Sequence, residues 1–105
     1  MRNILALSII ITAITNFTFA QSKVFDNLKM NSEILDMERN YSVYLPPDYE
    51  TSSRSYPVLY LLHGLGDDHT GWVQFGEVKK IADNSILNGD ATPMIIIMPD
   101  ANTGY

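Results

Sequence analysis

The segment from Pro57 to Trp72, PVLYLLHGLGDDHTGW, contains the residues whose types and spacing point most clearly to chemistry. An unbroken apolar run ends at His63, and the loop that follows is rich in glycine and aspartate. Gly64 and Gly66 permit a sharp turn that exposes backbone N–H groups. Such groups can stabilise an oxyanion, and the carboxyl end of a strand is where open α/β sheets bind ligands. The loop therefore predicts a site that stabilises negative charge.

The same loop contains side chains of the types that bind metal ions. They are Asp67, Asp68 and His69, which offer two carboxylates and an imidazole. Three consecutive side chains rarely converge on one ion. The sequence therefore favours a solvated loop here over a metal site.

Two strands are predicted before this segment. Lys23 to Ile34 mixes apolar and polar residues and is interpreted as a strand, with a turn at Leu35-Asp36-Met37. Arg39 to Leu45 alternates with period two, which is typical of a strand. One of its faces would hold Tyr41, Val43 and Leu45, and the other Asn40, Ser42 and Tyr44.

The rest of the chain predicts a β-loop-α-β unit. Tyr56 to His63 and Met94 to Met98 are almost wholly apolar, as expected of strands covered on both faces. Between them, apolar and small residues follow helical spacing at Val78, Ile81, Ala82, Ser85 and Ile86. Gly89 is placed to end that helix in a left-handed conformation. Two such strands joined by a helix imply a parallel pairing.

The first residues have the organisation of an export signal. Arg2 precedes the apolar run ILALSIIITAI, and Thr18-Phe19-Ala20 predicts a small-residue cleavage site before Gln21. We therefore expect residues 1–20 to be a signal peptide and the protein to be secreted or periplasmic. An uncleaved membrane anchor is the alternative, although the apolar core is short for a membrane span.

Composition and net charge limit the classes of partner that the protein is expected to bind. The 105 residues have a net charge of −5 and no basic cluster, which argues against nucleic acid or anionic lipid as a partner. After cleavage we expect no stable membrane association. The chain contains no Cys, so disulfides and thiolate metal sites are excluded.

Three segments, YSVYLPPDYE, YPVLYLLHGLGDDHTGW and MIIIMPDANTGY, together resemble one family. They are similar to the N-terminal part of secreted, esterase-D-like enzymes of the α/β-hydrolase superfamily. That group includes feruloyl and acetyl-xylan esterases, S-formylglutathione hydrolases and mycobacterial mycolyltransferases. The resemblance implies that residues 21–105 form the N-terminal portion of an α/β-hydrolase sheet. Antiparallel first strands would be followed by one parallel β-loop-α-β unit.

The resemblance also implies roles for individual residues. The backbone N–H of Leu65 would belong to the oxyanion hole, with that of Gly66 as the alternative donor. Trp72 would line the substrate site or, alternatively, pack beneath the loop. The substrate cleft would also be bordered by Asn102 and Tyr105. His63, Gly64 and Asp100 would have structural roles. His63 is not expected to be the general base, because a base needs a nucleophile within reach. Asp100 is not expected to be the catalytic acid, because the family's acid follows its nucleophile in the chain.

The family's nucleophile motif is the part that these residues lack. No G-x-S-x-G occurs in the 105 residues, so the resemblance implies a fragment that ends before the nucleophile elbow and is inactive by itself. The complete enzyme would be a secreted serine carboxylesterase acting on small-molecule or polysaccharide esters, with no metal or organic cofactor. An acyltransferase of mycolyltransferase type and a non-catalytic truncated or binding product are the alternatives.

Overall fold

A computed structural model of the protein describes residues 20–102. Its elements in chain order are β1 (Lys23–Ser32), β2 (Met37–Leu45), β3 (Val58–Tyr60), α1 (Gly71–Gln74), α2 (Val78–Leu87) and β4 (Ile95–Pro99). The four strands form one sheet in the order β1-β2-β4-β3. β2 pairs antiparallel with β1 and with β4, whereas β3 and β4 are parallel. This arrangement confirms the predicted fold class.

The predicted signal peptide, residues 1–20, lies outside the described residues except for Ala20. Among residues 20–102, no helix is long and apolar enough to cross a membrane.

The β1–β2 hairpin closes slightly earlier than its sequence predicts. β1 ends at Ser32, whose hydroxyl accepts a hydrogen bond from the Leu35 N–H at 3.2 Å. Asp36 then adopts a positive φ of 50°, a conformation that aspartate tolerates better than most residues. The register of β1 also shifts between Phe25 and Leu28, as in a β-bulge.

Both faces of β2 are buried near its end. Ser42 and Tyr44 are 0% exposed on one face, and Val43 is 7% exposed on the other. The polar atoms of the first face are bonded within the protein. Tyr44 donates its hydroxyl proton to Asp83 of α2 at 2.8 Å, and Ser42 donates to the His69 carbonyl at 2.7 Å. This face of β2 therefore supports both the helix and the glycine-rich loop.

The expectation of a long strand covered on both faces is wrong for β3 in the described part of the chain. The strand covers only Val58–Tyr60, and these residues are 43–68% exposed. Hydrogen bonds with β4 extend the pairing by about one residue at each end, from Ile95 N–H to the Pro57 carbonyl and from Leu61 N–H to the Ile97 carbonyl. The sheet order explains the exposure, because β3 has no neighbour on its outer side within residues 20–102.

The core lies between the sheet and α2. It is formed by buried residues from three elements, namely Tyr44, Val78, Ile96 and Met98. The predicted helix is confirmed, and Gly89 follows it with a φ of 78°. The short helix α1 was not predicted from the sequence. It leads to Gly76, where a Cβ atom would lie 2.6 Å from the Trp72 ring and 2.9 Å from its carbonyl oxygen.

Candidate functional site

The glycine-rich turn lies at the carboxyl end of β3. Asp67 donates its N–H to the Gly64 carbonyl at 3.2 Å, which closes a four-residue turn with Leu65 and Gly66 at its centre. Gly66 has a φ of +79°, the value that the third position of a type II turn requires. Leu65 is 101% exposed, and no acceptor among residues 20–102 takes its N–H or that of Gly66. Two adjacent backbone donors are therefore available to an anionic group.

His63 connects this turn to the loop after β4. Its side chain is 8% exposed, and Nδ1 lies 2.8 Å from the Gly64 carbonyl oxygen. Nε2 accepts the Ala101 N–H at 3.0 Å. A carbonyl only accepts and a backbone N–H only donates, so these contacts require a neutral imidazole with its proton on Nδ1. Both ring nitrogens are thus used in joining the two loops.

The loop after β4 is held by its own side chains and by β2. Asn102 donates its backbone N–H to the Asp100 carboxylate at 2.9 Å. The same carboxylate lies 3.5 Å from Nε2 of His63. Nη2 of Arg39 donates to the Asp100 carbonyl and, at 2.9 Å, to the Asn102 carbonyl. The structure therefore brings His63, Gly64, Asp100 and Asn102 to one edge of the sheet.

Trp72 lies on α1 beside the same edge. Its indole Nε1 donates to the Leu62 carbonyl at 2.9 Å, so the ring is tied to the end of the β3 segment. The residue remains 38% exposed. It also borders an apolar groove of about 240 Å³ between β3 and α2, which Leu59 and Ile81 help to line. The tryptophan packs against the loop and still presents part of its surface.

The acidic residues of the loop bond within the loop itself. Asp68 accepts hydrogen bonds from the Thr70 N–H at 2.8 Å and from the Thr70 hydroxyl at 2.6 Å. The hydroxyl contact is the main reason why the pKa of Asp68 is lowered. Asp67 packs against Gly71, where a Cβ atom would lie 2.1 Å from the carboxylate. Within residues 20–102, no three His, Cys, Asp or Glu side chains form a group that could hold a metal ion.

The sequence did not predict two residues of the site, and one predicted residue lies outside the part of the chain that the structure describes. Arg39 and Ser42 both come from β2, yet they bond to the carbonyls of loops that follow β4 and β3. A weak signal existed for Ser42, because its polar side chain shares a strand face with Tyr44. No signal indicated Arg39. Tyr105, predicted to border the cleft, lies outside the described residues.

Comparisons with known proteins agree with this arrangement. A family model described as "Putative esterase" matches residues 32–104. An endo-1,4-β-xylanase/feruloyl esterase of Xylanibacter ruminicola is 38% identical over 71 residues, which are 64% of this chain and 10% of that protein. A solved ferulic acid esterase has a TM-score of 0.74 and 40% identity, covering 77% of this chain and 32% of that one.

A CE1 ferulic acid esterase from the anaerobic fungus Anaeromyces mucronatus gives a TM-score of 0.66 and 30% identity. That match covers 80% of this chain and 30% of the other. The chain thus spans between a tenth and a third of the length of these relatives. It belongs to the esterase family whose model it matches, and it has the mixed α/β sheet of the ferulic acid esterases.

Proposed function

We propose that residues 21–105 form the oxyanion-binding part of a secreted serine esterase that cleaves acyl esters, including those attached to polysaccharide. The turn from Gly64 to Asp67 is the observation that supports this most directly. It presents the N–H groups of Leu65 and Gly66 at the carboxyl end of β3, next to the loop after β4. Ester cleavage develops negative charge on the carbonyl oxygen, and backbone donors of this kind stabilise it.

In the proposed reaction, a serine attacks the ester carbonyl and a histidine accepts the serine proton. The oxygen of the tetrahedral intermediate accepts the N–H of Leu65, with Gly66 as the neighbouring donor. His63 does not act as the base, because both of its ring nitrogens are occupied in joining the loops. Residues 1–105 contain no G-x-S-x-G, and in this proposal the nucleophile, its base and its acid lie outside these residues.

The substrate class is proposed from the relatives and from the aromatic side chain beside the turn. The Anaeromyces mucronatus esterase has been solved in complex with ferulic acid, and its match to this chain has 30% identity and a TM-score of 0.66. Trp72 remains 38% exposed at the same edge of the sheet. Its amphipathic ring suits an aromatic acyl group or a sugar.

The proposal is tested with the protein expressed from the complete gene. We expect turnover of methyl ferulate and of p-nitrophenyl acetate, abolished by a serine-directed phosphonate. Residues 21–105 expressed alone should show no turnover above buffer, since they lack the nucleophile motif. Phosphonate-sensitive turnover by residues 21–105 would show that a nucleophile had been missed.

The same assay separates the alternatives. Acyl transfer to an added sugar that exceeds hydrolysis would favour an acyltransferase of mycolyltransferase type. A complete protein without ester turnover and without phosphonate labelling would favour a non-catalytic product.

The proposed location is tested separately. We propose that the protein is exported and cleaved after Ala20, because the first residues follow the order of a signal peptide. Mass spectrometry of the exported protein should then find Gln21 as the first residue. A peptide spanning Arg2 to Lys23 in the membrane fraction would contradict cleavage and support an anchor.

A further inference from the structure

We infer that Arg39 is a positioning residue, which sets the oxyanion-binding turn through a relay of hydrogen bonds that passes through the loop after β4 and through His63. This inference rests on the proposed function for its catalytic consequence. The relay itself is a feature of the described residues.

The first step of the relay joins Arg39 to the loop after β4. The ladder between β2 and β4 ends where the Asp100 N–H donates to the Asn40 carbonyl at 2.9 Å. Beyond that point, the guanidinium of Arg39 donates to the carbonyls of Asp100 and Asn102. Hydrogen bonds from a charged donor are stronger than neutral ones. The arginine therefore holds the backbone on both sides of Ala101.

The second step joins the loop to the turn. The Ala101 N–H, between the two anchored carbonyls, donates to His63 Nε2 at 3.0 Å. His63 Nδ1 in turn donates to the Gly64 carbonyl at 2.8 Å. That carbonyl also accepts the Asp67 N–H that closes the turn. The position of Gly64 is consequently set by the loop after β4 as well as by the turn.

An ordinary surface role does not explain the contacts of Arg39. Within residues 20–102 its guanidinium contacts two backbone carbonyls and, at 3.6 Å, the sulfur of Met37, and none of the ion pairs there includes it.

The relay matters because two of the four residues of the turn are glycines. Gly64 and Gly66 have wide conformational freedom, so the turn by itself does not define where the N–H groups of Leu65 and Gly66 lie. A donor stabilises the transition state only at about 2.7–3.1 Å from the oxyanion. A displacement on the order of 1 Å can lower a rate about 10²-fold.

The test uses Arg39→Met and Arg39→Lys in the protein expressed from the complete gene. We expect Arg39→Met to lower kcat by roughly 10-fold or more, with KM within about twofold, because the perturbed donors act on the transition state. Lysine should restore part of the rate, since it can donate to one carbonyl. Arg54→Met is the matched control and should leave kcat unchanged. Arg54 pairs with Asp48 in the segment before β3, away from the turn.

A double-mutant cycle with His63→Phe separates positioning from general destabilisation. If Arg39 acts through His63, the double variant should lose little more kcat than either single variant. Independent, multiplicative losses would overturn the relay. So would an Arg39→Met enzyme with kcat within twofold of the unmodified protein.

A spectroscopic measurement keeps the inference separate from the proposed function. In the unmodified protein, ¹⁵N NMR of His63 should show a neutral ring protonated on Nδ1, and the Ala101 amide should exchange slowly. Arg39→Met should speed that exchange and shift the His63 signals, whether or not the protein is an esterase. An inactive unmodified protein with these responses would refute the proposed function alone. Unchanged His63 signals and Ala101 exchange would overturn the role of Arg39.

Discussion

Replacing Tyr44 by Phe would remove one hydroxyl from the contact between the sheet and α2. Tyr44 is 0% exposed, and its hydroxyl donates to Asp83 Oδ1 at 2.8 Å. Lys79 donates to the other carboxylate oxygen at 2.9 Å. The ring itself stays in Tyr44→Phe, so the packing of the core is preserved and the variant isolates the hydrogen bond.

The expected loss follows from the charge and exposure of the acceptor. A hydrogen bond to a charged group contributes about 1.5–3 kcal/mol to stability. The Asp83 side chain is 31% exposed, so water can replace part of the lost contact. We therefore expect the lower end of the range, a decrease of about 1.5 kcal/mol in the free energy of unfolding at pH 7.

The loss should depend on pH. Burial raises the pKa of Tyr44 above its ordinary value, so the hydroxyl remains a donor throughout the accessible range. Burial also opposes the charge on Asp83, but the donors around its carboxylate, Lys79 and Tyr44 among them, outweigh it and lower the pKa of Asp83. Stability from a lowered carboxyl pKa is complete above the unfolded-state value, about 3.9, and is lost as the pH falls through the folded-state value. The effect of Tyr44→Phe should therefore shrink below about pH 3.9.

Urea unfolding of the protein from the complete gene, at pH 7 and at pH 3, measures both effects. Tyr49→Phe is the matched control, because Tyr49 is 42% exposed and should change stability by less than about 0.5 kcal/mol. A loss for Tyr44→Phe that is the same at both pH values would refute the assignment of the effect to ionised Asp83. A loss no larger than that of the control at pH 7 would refute the hydrogen bond itself.

Three further outcomes are expected. Gly66→Ala should strain the backbone by about 1–2 kcal/mol, because residue 66 has a φ of +79°. We expect the variant to lower kcat for methyl ferulate by roughly 10-fold or more. A kcat within twofold of the unmodified protein would argue against this turn as the oxyanion donor. Trp72→Phe should lose the bond to the Leu62 carbonyl and decrease the free energy of unfolding by about 1 kcal/mol, measured in urea; no decrease would contradict that anchoring contact. Residues 21–105 alone should associate, because Val58 and Tyr60 on the edge strand are 47% and 68% exposed; a monomer with a sharp, concentration-independent thermal transition would exclude this.

Local patterns were enough to predict most of the elements. The spacing of apolar residues predicted α2, and Gly89 predicted its end, because helix periodicity and left-handed glycine depend on neighbouring residues. The period-two alternation predicted β2 in the same way. The short extent of β3 could not be predicted, because an apolar run indicates a tendency to be buried and not where the pairing with a neighbouring strand ends. Sheet order places β3 at an edge in the described residues.

In the candidate site, too, some features follow from the local sequence and others only from tertiary contacts. The sequence by itself determined the turn, since only glycine readily adopts the φ of +79° found at Gly66. Tertiary structure decided what holds that turn. Ser42 reaches a carbonyl 27 residues away, and Arg39 reaches one 61 residues away. Every residue has a backbone carbonyl, so the acceptor of such a bond leaves no trace in the sequence, and the partner is known only once the strands are paired.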